Sequence, residues 1–313
     1  MVRFFYIYTN YTKLVSLLKI LIRCALFVFC KKIQIQNKQH LTQKGPLLII
    51  ANHPDSFLDA IIIGSYYKRR VHFLARGDVF TKKHHRFLLG LLNMIPVYRL
   101  REGKEFLHLN EYAFTASKNL LAKGEAVLIF IEGICLNTNE LQPFKKGTAR
   151  ILQGTQEMGV QPNIHVAGIA YNHFFGMGKR VNIKIDPFIF NTTIKSGKDR
   201  VDFNSAVLKA LNDNIQPPEI ETNKQNNKTT PLFLLGRCAR FLQTPYYLPI
   251  KNFIFQKTKG TVFYDSVLFS ILLLTYPIFL LLIGLLMYLI SIPLPIIFII
   301  LVGLPLLSRL GIK

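Results

Sequence analysis

A run of 24 residues without a charged side chain, from Val267 to Ile290, is the feature that most limits how this chain can fold. At about 1.5 Å per residue, a helix of this length crosses the ~30 Å hydrocarbon core of a bilayer. A second uncharged run, Ile292 to Leu307, has 16 residues and three prolines, which predicts a tilted, broken or re-entrant helix. Lysines precede the two runs, and Arg309 and Lys313 follow them. Positive charge at both outer ends predicts a hairpin anchor whose ends lie in the cytoplasm.

The composition favours a membrane surface as a partner. Of the 313 residues, 50% are hydrophobic, and the formal net charge is +22. On an anionic membrane surface each lysine or arginine contributes on the order of 1 kcal/mol. Strong basicity is also typical of nucleic-acid binding, but the sequence has no zinc spacing, no aromatic-basic sheet signature and no basic heptad helix, so we expect no nucleic-acid partner. The four cysteines have no pairing or metal-binding pattern, which predicts reduced thiols.

The N-terminal residues 1–33 are apolar and carry cations at regular intervals. Lys19 and Arg23 stand four residues apart and therefore share one face of a helix. This pattern predicts a helix that lies in the membrane interface, with its lysines reaching for lipid head groups. A signal peptide is disfavoured because charges interrupt the apolar run. A spanning helix remains the alternative, although it would bury Lys19 or Arg23 in hydrocarbon.

Residues 34–215 alternate short apolar runs with helical patterns, which predicts a layered α/β domain with a mixed sheet flanked by helices. The candidate strands are Ile33–Ile35, Leu47–Ala51, Val71–Ala75, Ala126–Ile131, Ile164–Ala170 and Val181–Ile185. Residues 216–260 are predicted to be a loop and surface-helix connector, because a polar run precedes a short helical pattern. Residues 261–313 contain the predicted hairpin.

Two of these strands end in polar residues. His53 follows the apolar run Pro46–Ala51, and two aspartates come shortly after it. A histidine paired with a carboxylate can make a hydroxyl nucleophilic, because the imidazole accepts the proton and the carboxylate stabilises the imidazolium. The run Val127–Ile131 likewise ends in Glu132 and Gly133. Polar residues at such strand ends are typical of the rim of an active site on an open α/β sheet.

Four blocks of the sequence, in the same order, resemble those of the glycerolipid acyltransferase family, the membrane enzymes that acylate glycerol phosphate and lysophosphatidic acid. The blocks are Asn52–Asp59, Met94–Arg99, Ile129–Gly133 with its tail Leu141–Ala149, and Ile164–Tyr171. Two departures stand out. Five residues instead of four separate His53 from Asp59, and the arginine usual after Glu-Gly-Thr is missing from Glu132-Gly133-Ile134-Cys135.

The resemblance implies that His53 is the general base, with Asp59 as the partner of its imidazole. Asp55 is the rival partner, since it lies only two residues from His53. A structural role for Asp59 is also open, because Ser56-x-x-Asp59 ahead of an apolar run is a capping-box pattern. No serine or cysteine is convincingly arranged as a covalent nucleophile, so we expect direct transfer without an acyl-enzyme.

The resemblance also implies an acceptor site. Arg99 matches the arginine of the second block and would bind the acceptor's phosphate, for which a guanidinium is well suited. Glu132 and Gly133 would lie near the acceptor's hydroxyl or head group. Lys145 and Lys146, at a predicted helix start, form a second candidate anion site that equally suits membrane head groups. We expect no metal and no cofactor.

The function implied is transfer of a fatty acyl group from acyl-CoA or acyl carrier protein to a lyso-lipid hydroxyl, in glycerophospholipid synthesis. The first acceptor is 1-acylglycerol 3-phosphate; glycerol 3-phosphate and a lyso-lipid without phosphate are the alternatives. A catalytically inactive lipid-binding scaffold is the rival from another class. We expect a membrane protein whose catalytic domain lies on the cytoplasmic face.

Overall fold

The computed structural model of the protein describes residues 2–80, 89–90, 92–98, 110–219 and 231–311, together with residues 83, 86 and 108. Its described strands form one seven-stranded sheet in the order β1-β7-β6-β2-β5-β3-β4. The strands are β1 (Cys30–Gln36), β2 (Leu47–Ala51), β3 (Val71–Arg76), β4 (Met94–Val97), β5 (Ala126–Phe130), β6 (Asn163–Tyr171) and β7 (Lys179–Pro187). Only the β6–β7 pair within this sheet is antiparallel, so the sheet is mixed.

Burial explains the arrangement of the strands. Every residue of β2 is buried, as expected for a central parallel strand covered on both faces. In β7, buried residues alternate with half-buried ones, the pattern of a strand with one face in the core. Each candidate strand of the sequence corresponds to an observed strand. β4 was not predicted, because it has four residues and one of them is Pro96.

Helices flank the sheet and continue beyond it. They are α1 (Val2–Phe29), α2 (Phe57–Tyr66), α3 (Asn110–Ala122), α4 (Gly147–Glu157), α5 (Gly197–Asn214), α6 (Pro231–Thr258), α7 (Tyr264–Leu289) and α8 (Leu294–Leu310). The short 3-10 helices Lys38–Thr42 and Gly77–Phe80 lie between strands. Two apolar clusters pack on the sheet, and the ends of α1 and α7 join the first of them. The predicted class, a mixed sheet flanked by helices with further helices at both ends of the chain, is confirmed.

Of the C-terminal helices, α6 differs most in length from the sequence-based expectation. α6 continues through Pro245 and Pro249 and is therefore much longer than the short surface helix predicted for this segment. Within the described residues, α7 is one helix whose length and apolar composition suffice to cross a membrane. α8 is shorter, at 17 residues, and a turn at Ser291, with a positive φ of 65°, separates it from α7.

Lys19 on α1 has a different role from the one its pattern suggested. Its ammonium donates hydrogen bonds of 2.7 Å to the carbonyl oxygens of Tyr67 and Arg69, just beyond the end of α2. Burial, with the charge of Arg23 nearby, lowers the pKa of Lys19 to about 8. This lysine therefore fastens α1 to the α/β unit and does not reach for a lipid head group.

Candidate active site

The candidate site lies where β2, β5 and β6 end at one edge of the sheet. These three strands run parallel, and Ala51 pairs with both Phe130 and Ala167. The next residue, Asn52, fixes the exit of the chain from β2. Its carboxamide donates to the carbonyl oxygen of Ile169 and accepts from the amide of Ile169, each at 2.8 Å. This two-bond clamp brings the residues after β2 beside the end of β6.

His53 and Asp59 meet at this edge. The imidazole Nδ1 of His53 lies 2.9 Å from Oδ2 of Asp59, and Asp59 is completely buried. The ring of His53 stacks on the ring of Phe130, with 3.9 Å between centroids and 10° between planes. A carboxylate at Nδ1 fixes the tautomer that carries its proton there, which leaves Nε2 free of a proton. The arrangement is that of an oriented base whose second nitrogen can accept a proton.

The carboxylate of Asp59 has further donors. Its Oδ2 also accepts from the backbone amide of Asp55 at 2.8 Å, and its Oδ1 accepts from the Tyr171 hydroxyl at 2.7 Å. Burial raises the pKa of Tyr171 well above its ordinary value, so this phenol keeps its proton as a donor. The hydroxyl of Ser56 makes no capping hydrogen bond at the start of α2, so the capping box considered from the sequence does not form.

Asp55 faces another partner. Its carboxylate lies 2.9 Å from the ammonium of Lys179, which also forms an ion pair with Asp265. The Lys179 side chain is completely buried, and so is that of Asp265. Burial raises the pKa of Asp55, although the charge of Lys179 acts in the opposite direction. Of the two aspartates weighed as partners of the imidazole, the structure brings Asp59 to it and turns Asp55 away.

Glu132, two residues beyond the end of β5, accepts a hydrogen bond from the backbone of His53. Its Oε1 accepts from the amide of His53 at 3.2 Å, and its side chain is almost fully buried. Burial raises the pKa of Glu132 to about 7, and the charge of Asp59 adds to this, while hydrogen bonds from the backbone of His53 and Gln142 lower it. Glu132 thus contacts the backbone of His53, and its raised pKa lies near neutral pH.

The turn after Glu132 contains the other predicted acceptor-site residues. Gly133 has a φ of +62°, a conformation that glycine adopts readily, and the side chain of Lys145 covers the position where a Cβ would project. The backbone amide of Lys145 donates to the carbonyl oxygen of Ile131 at 2.9 Å. Lys145 and Lys146 are both exposed at the start of α4. Arg99 lies outside the described residues.

Cys135 contributes to the structure of the site. The amide of Ser56 donates to its sulfur at 2.9 Å, which links the segment after β5 to the segment after β2. Ser56 itself has a φ of 53°, an uncommon conformation for a residue other than glycine. Burial raises the pKa of the Cys135 thiol. Because the thiolate is the nucleophilic form of cysteine, this direction disfavours a nucleophilic role.

Four residues that contact the site were not predicted from the sequence: Tyr171, Lys179, Asp265 and Ser266. Each had a weak signal. Tyr171 ends β6, a mostly apolar strand, at the same edge as His53. Lys179 begins an alternating strand, and the Asp265–Ser266 pair directly precedes the long uncharged run. None of these signals identifies a partner. Across the described residues, no group of three or more His, Cys, Asp or Glu side chains has the arrangement to hold a metal ion.

Comparisons with known proteins place part of the chain beside acyltransferases. Residues 32–172 match the protein-family model described as Acyltransferase. A curated lyso-ornithine lipid O-acyltransferase of Brucella abortus (strain 2308) is 30% identical over 150 residues, which make up 46% of this chain and 52% of that protein. The chain thus spans about half the length of this relative.

A solved structure shows a more distant likeness. The 1-acyl-sn-glycerophosphate (LPA) acyltransferase PlsC from Thermotoga maritima aligns with 64% of this chain and 79% of its own, at a TM-score of 0.46 and 16% sequence identity.

Proposed function

We propose that this chain, whose residues 32–172 belong to the acyltransferase family, transfers a fatty acyl group from an acyl thioester to a hydroxyl of a lyso-lipid. The observation that carries the proposal is the His53–Asp59 pair, with 2.9 Å between Nδ1 and Oδ2, at the edge where three parallel strands end. An imidazole held in one tautomer by a buried carboxylate is suited to remove a proton from a hydroxyl.

The reaction follows from the roles of these two residues. Nε2 of His53 accepts the proton of the acceptor hydroxyl while the hydroxyl oxygen attacks the carbonyl carbon of the thioester. The buried charge of Asp59 stabilises the imidazolium that forms. The tetrahedral intermediate then collapses, its carbon–sulfur bond breaks, and the departing thiolate takes the proton from His53. A general base of this kind typically accelerates a reaction by about 10²–10⁴-fold. No enzyme-bound acyl group is needed.

The acceptor proposed first is 1-acylglycerol 3-phosphate. Lys145, which lies over Gly133 beside the Glu132 turn, supports an anionic head group at this position. Lys146 is a second exposed cation at the adjacent start of α4. Arg99 is proposed as a further phosphate ligand on the resemblance of its block alone. Glycerol 3-phosphate is the smaller acceptor of the same chemistry.

A second candidate acceptor is a lyso-lipid without a phosphate. Two observations favour it: the third block lacks its usual arginine, and the relative that is 30% identical is named for lyso-ornithine lipid. A head group with fewer negative charges needs fewer cations in the site. The assay that identifies the acceptor also shows whether the donor is acyl-CoA or acyl carrier protein.

We propose that α7 and α8 anchor the enzyme in the membrane as a hairpin. The second half of α7 and the first half of α8 expose large apolar side chains, which include Leu281, Leu286, Phe298 and Ile299, each at least 63% exposed. Exposed apolar surface of this extent marks a membrane or protein contact. Lysines and arginines flank the two helices, which favours the cytoplasmic side for the α/β unit.

The test is thiol release by the purified full chain and by its His53→Ala variant. Acyl-CoA and acyl carrier protein donors are offered with phosphorylated and unphosphorylated lyso-lipids, including lyso-ornithine lipid, and products are identified by mass. We expect acceptor-dependent release that the variant loses, and we expect both proteins to be found in the membrane fraction of the cells from which they are purified. Release that is equal in the two proteins removes His53 as the base. A complete lack of release with every pair of substrates favours the lipid-binding scaffold.

A further inference from the structure

The first turn of α7 contacts the segment that carries His53 and Asp59. The Ser266 hydroxyl accepts a hydrogen bond from the amide of Leu58 at 3.0 Å and donates one to the carbonyl oxygen of Asp55 at 3.3 Å. All three residues are buried. The Ser266 side chain of α7 thus bridges two backbone groups, and both belong to residues that lie between His53 and Asp59 in the sequence.

A buried group of charges joins the same elements. The ammonium of Lys179, on β7, lies between the carboxylates of Asp55 and Asp265. Asp265 also accepts a hydrogen bond from the amide of Gly176 at 2.6 Å. Removing one partner from a buried ion pair leaves an uncompensated charge, which is strongly unfavourable. The group therefore holds the segment after β2, the β6–β7 connection and the start of α7 in fixed relative positions.

The buried charges also contact the His53–Asp59 pair through Tyr171. The ammonium of Lys179 lies 5.3 Å from the centre of the Tyr171 ring, and the Tyr171 hydroxyl donates to Asp59. Asp59 is therefore held from two directions. Its own backbone follows the segment bridged by Ser266, and its carboxylate is bonded to a tyrosine that packs against the buried charges.

From these contacts we propose that the first turn of α7 is part of the catalytic apparatus, with Ser266 and Asp265 as positioning residues for the His53–Asp59 pair. The inference rests on the proposed function and extends it. The helix α7 has two parts. Its second half carries exposed apolar side chains. Its first turn, which begins before the uncharged run Val267–Ile290, fixes the geometry of the general base. A displacement of about 1 Å in such a base can lower a rate by about 10²-fold.

The chain offers a matched control for Ser266. Ser270 lies one turn further along α7, and its hydroxyl donates to the carbonyl oxygen of Ser266 within the helix. The substitutions Ser266→Ala and Ser270→Ala each remove one hydroxyl from the same helix, but only the first removes contacts to Leu58 and Asp55. Asp265→Asn is the second test variant, because it removes one buried charge and keeps the shape of the side chain.

The experiment measures kcat and KM of the full-length variants in lipid-supplemented micelles, with their melting temperatures. We expect Ser266→Ala and Asp265→Asn to lower kcat by about 10-fold or more, with KM for the thioester unchanged and, for Ser266→Ala, a melting temperature equal to that of Ser270→Ala. A kcat of Ser266→Ala equal to that of Ser270→Ala overturns the inference. So does a loss of kcat that only follows the fraction of unfolded protein.

A second readout separates this inference from the proposed function. The rate at which diethyl pyrocarbonate modifies His53 is followed by peptide mass. It reports the accessibility and hydrogen bonding of the imidazole without any substrate. We expect Ser266→Ala to change this rate and Ser270→Ala to leave it as in the parent. If the parent transfers no acyl group and Ser266→Ala still changes the rate, the positioning role stands and the acyltransferase proposal fails. Equal rates in all the proteins refute the positioning role.

Discussion

Replacing Glu132 by glutamine should change how the stability of the fold depends on pH. The carboxyl of Glu132 is almost fully buried, and burial raises its pKa from the ordinary 4.5 to about 7. Between these two values the folded protein keeps a proton that the unfolded chain has lost. The free energy of unfolding contributed by this group is therefore full below pH 4.5 and declines as the pH rises to 7.

The size of the decline follows from the two pKa values. They differ by about 2.5 pH units, and each unit corresponds to 1.36 kcal/mol, so the limit is about 3 kcal/mol. Allowing for solvent screening at the edge of the sheet, we expect about 2 kcal/mol. Glutamine keeps an oxygen that accepts from the His53 amide but does not titrate, so the Glu132→Gln variant should lack this part of the pH dependence.

The assay is urea unfolding of the full chain in detergent micelles at pH 5, 6, 7 and 8. The chain has 13 tyrosines and no tryptophan, so tyrosine fluorescence and circular dichroism are suitable signals. The stability of the parent relative to Glu132→Gln should fall by about 2 kcal/mol from pH 5 to pH 8. Glu140→Gln, which changes an exposed glutamate eight residues further on, should behave as the parent. Parallel curves for the parent and Glu132→Gln would refute the reasoning.

Three further predictions concern the base, the helix packing and the anchor. Asp59→Asn should lower turnover by about 10²-fold or more, since the imidazolium loses its buried counter-charge, and single-turnover kinetics will test this. Gly236→Ala should destabilise the protein by about 1–3 kcal/mol, because its Cβ would lie 2.4 Å from the backbone nitrogen of Gly311. Gly303→Ala, whose Cβ would meet open space, is the control in thermal unfolding. Leu282→Lys, on the exposed half of α7, should weaken retention of the protein in membranes during alkaline carbonate extraction, with turnover unchanged in detergent micelles.

Local sequence patterns were sufficient for much of the fold. Runs such as Leu47–Ala51 are apolar throughout, and a strand buried on both faces requires this. The ends of two such runs carried His53 and Glu132, so the edge of the sheet where these residues lie could be predicted before any contact was known. The role of His53 as a base came from the resemblance of its block and stays a prediction. The strand Met94–Val97 and the full length of α6 were not predicted. Both contain proline, which is tolerated in an edge strand and within a packed helix, so local patterns describe such elements poorly.

Contacts between distant residues could not be predicted in this way. The hydrogen bond from Leu58 to Ser266 joins residues 208 positions apart. Hydrophobic periodicity describes the neighbourhood of a residue along the chain and contains no information on such pairings. A lone charge at the start of a long apolar helix is equally consistent with a membrane boundary and with a buried ion pair. For Asp265, only the position of Lys179 in the folded sheet distinguishes the two.

Because α7 is continuous from Ser266 to the turn before Ser291, its length would determine how far the proposed site lies from the hydrocarbon layer. The 24 residues of α7 from Ser266 to Leu289 rise about 36 Å, whereas the hydrocarbon layer is ~30 Å thick. In a hairpin that crosses the bilayer, the His53–Asp59 pair would then lie within about one head-group depth of the hydrocarbon boundary. A lyso-lipid would need to raise only its head group and hydroxyl to reach His53, while its acyl chain stays among its neighbours. The helix would thus act as a spacer, and inserting or deleting one of its turns would move the site about 5 Å away from its substrate or toward it.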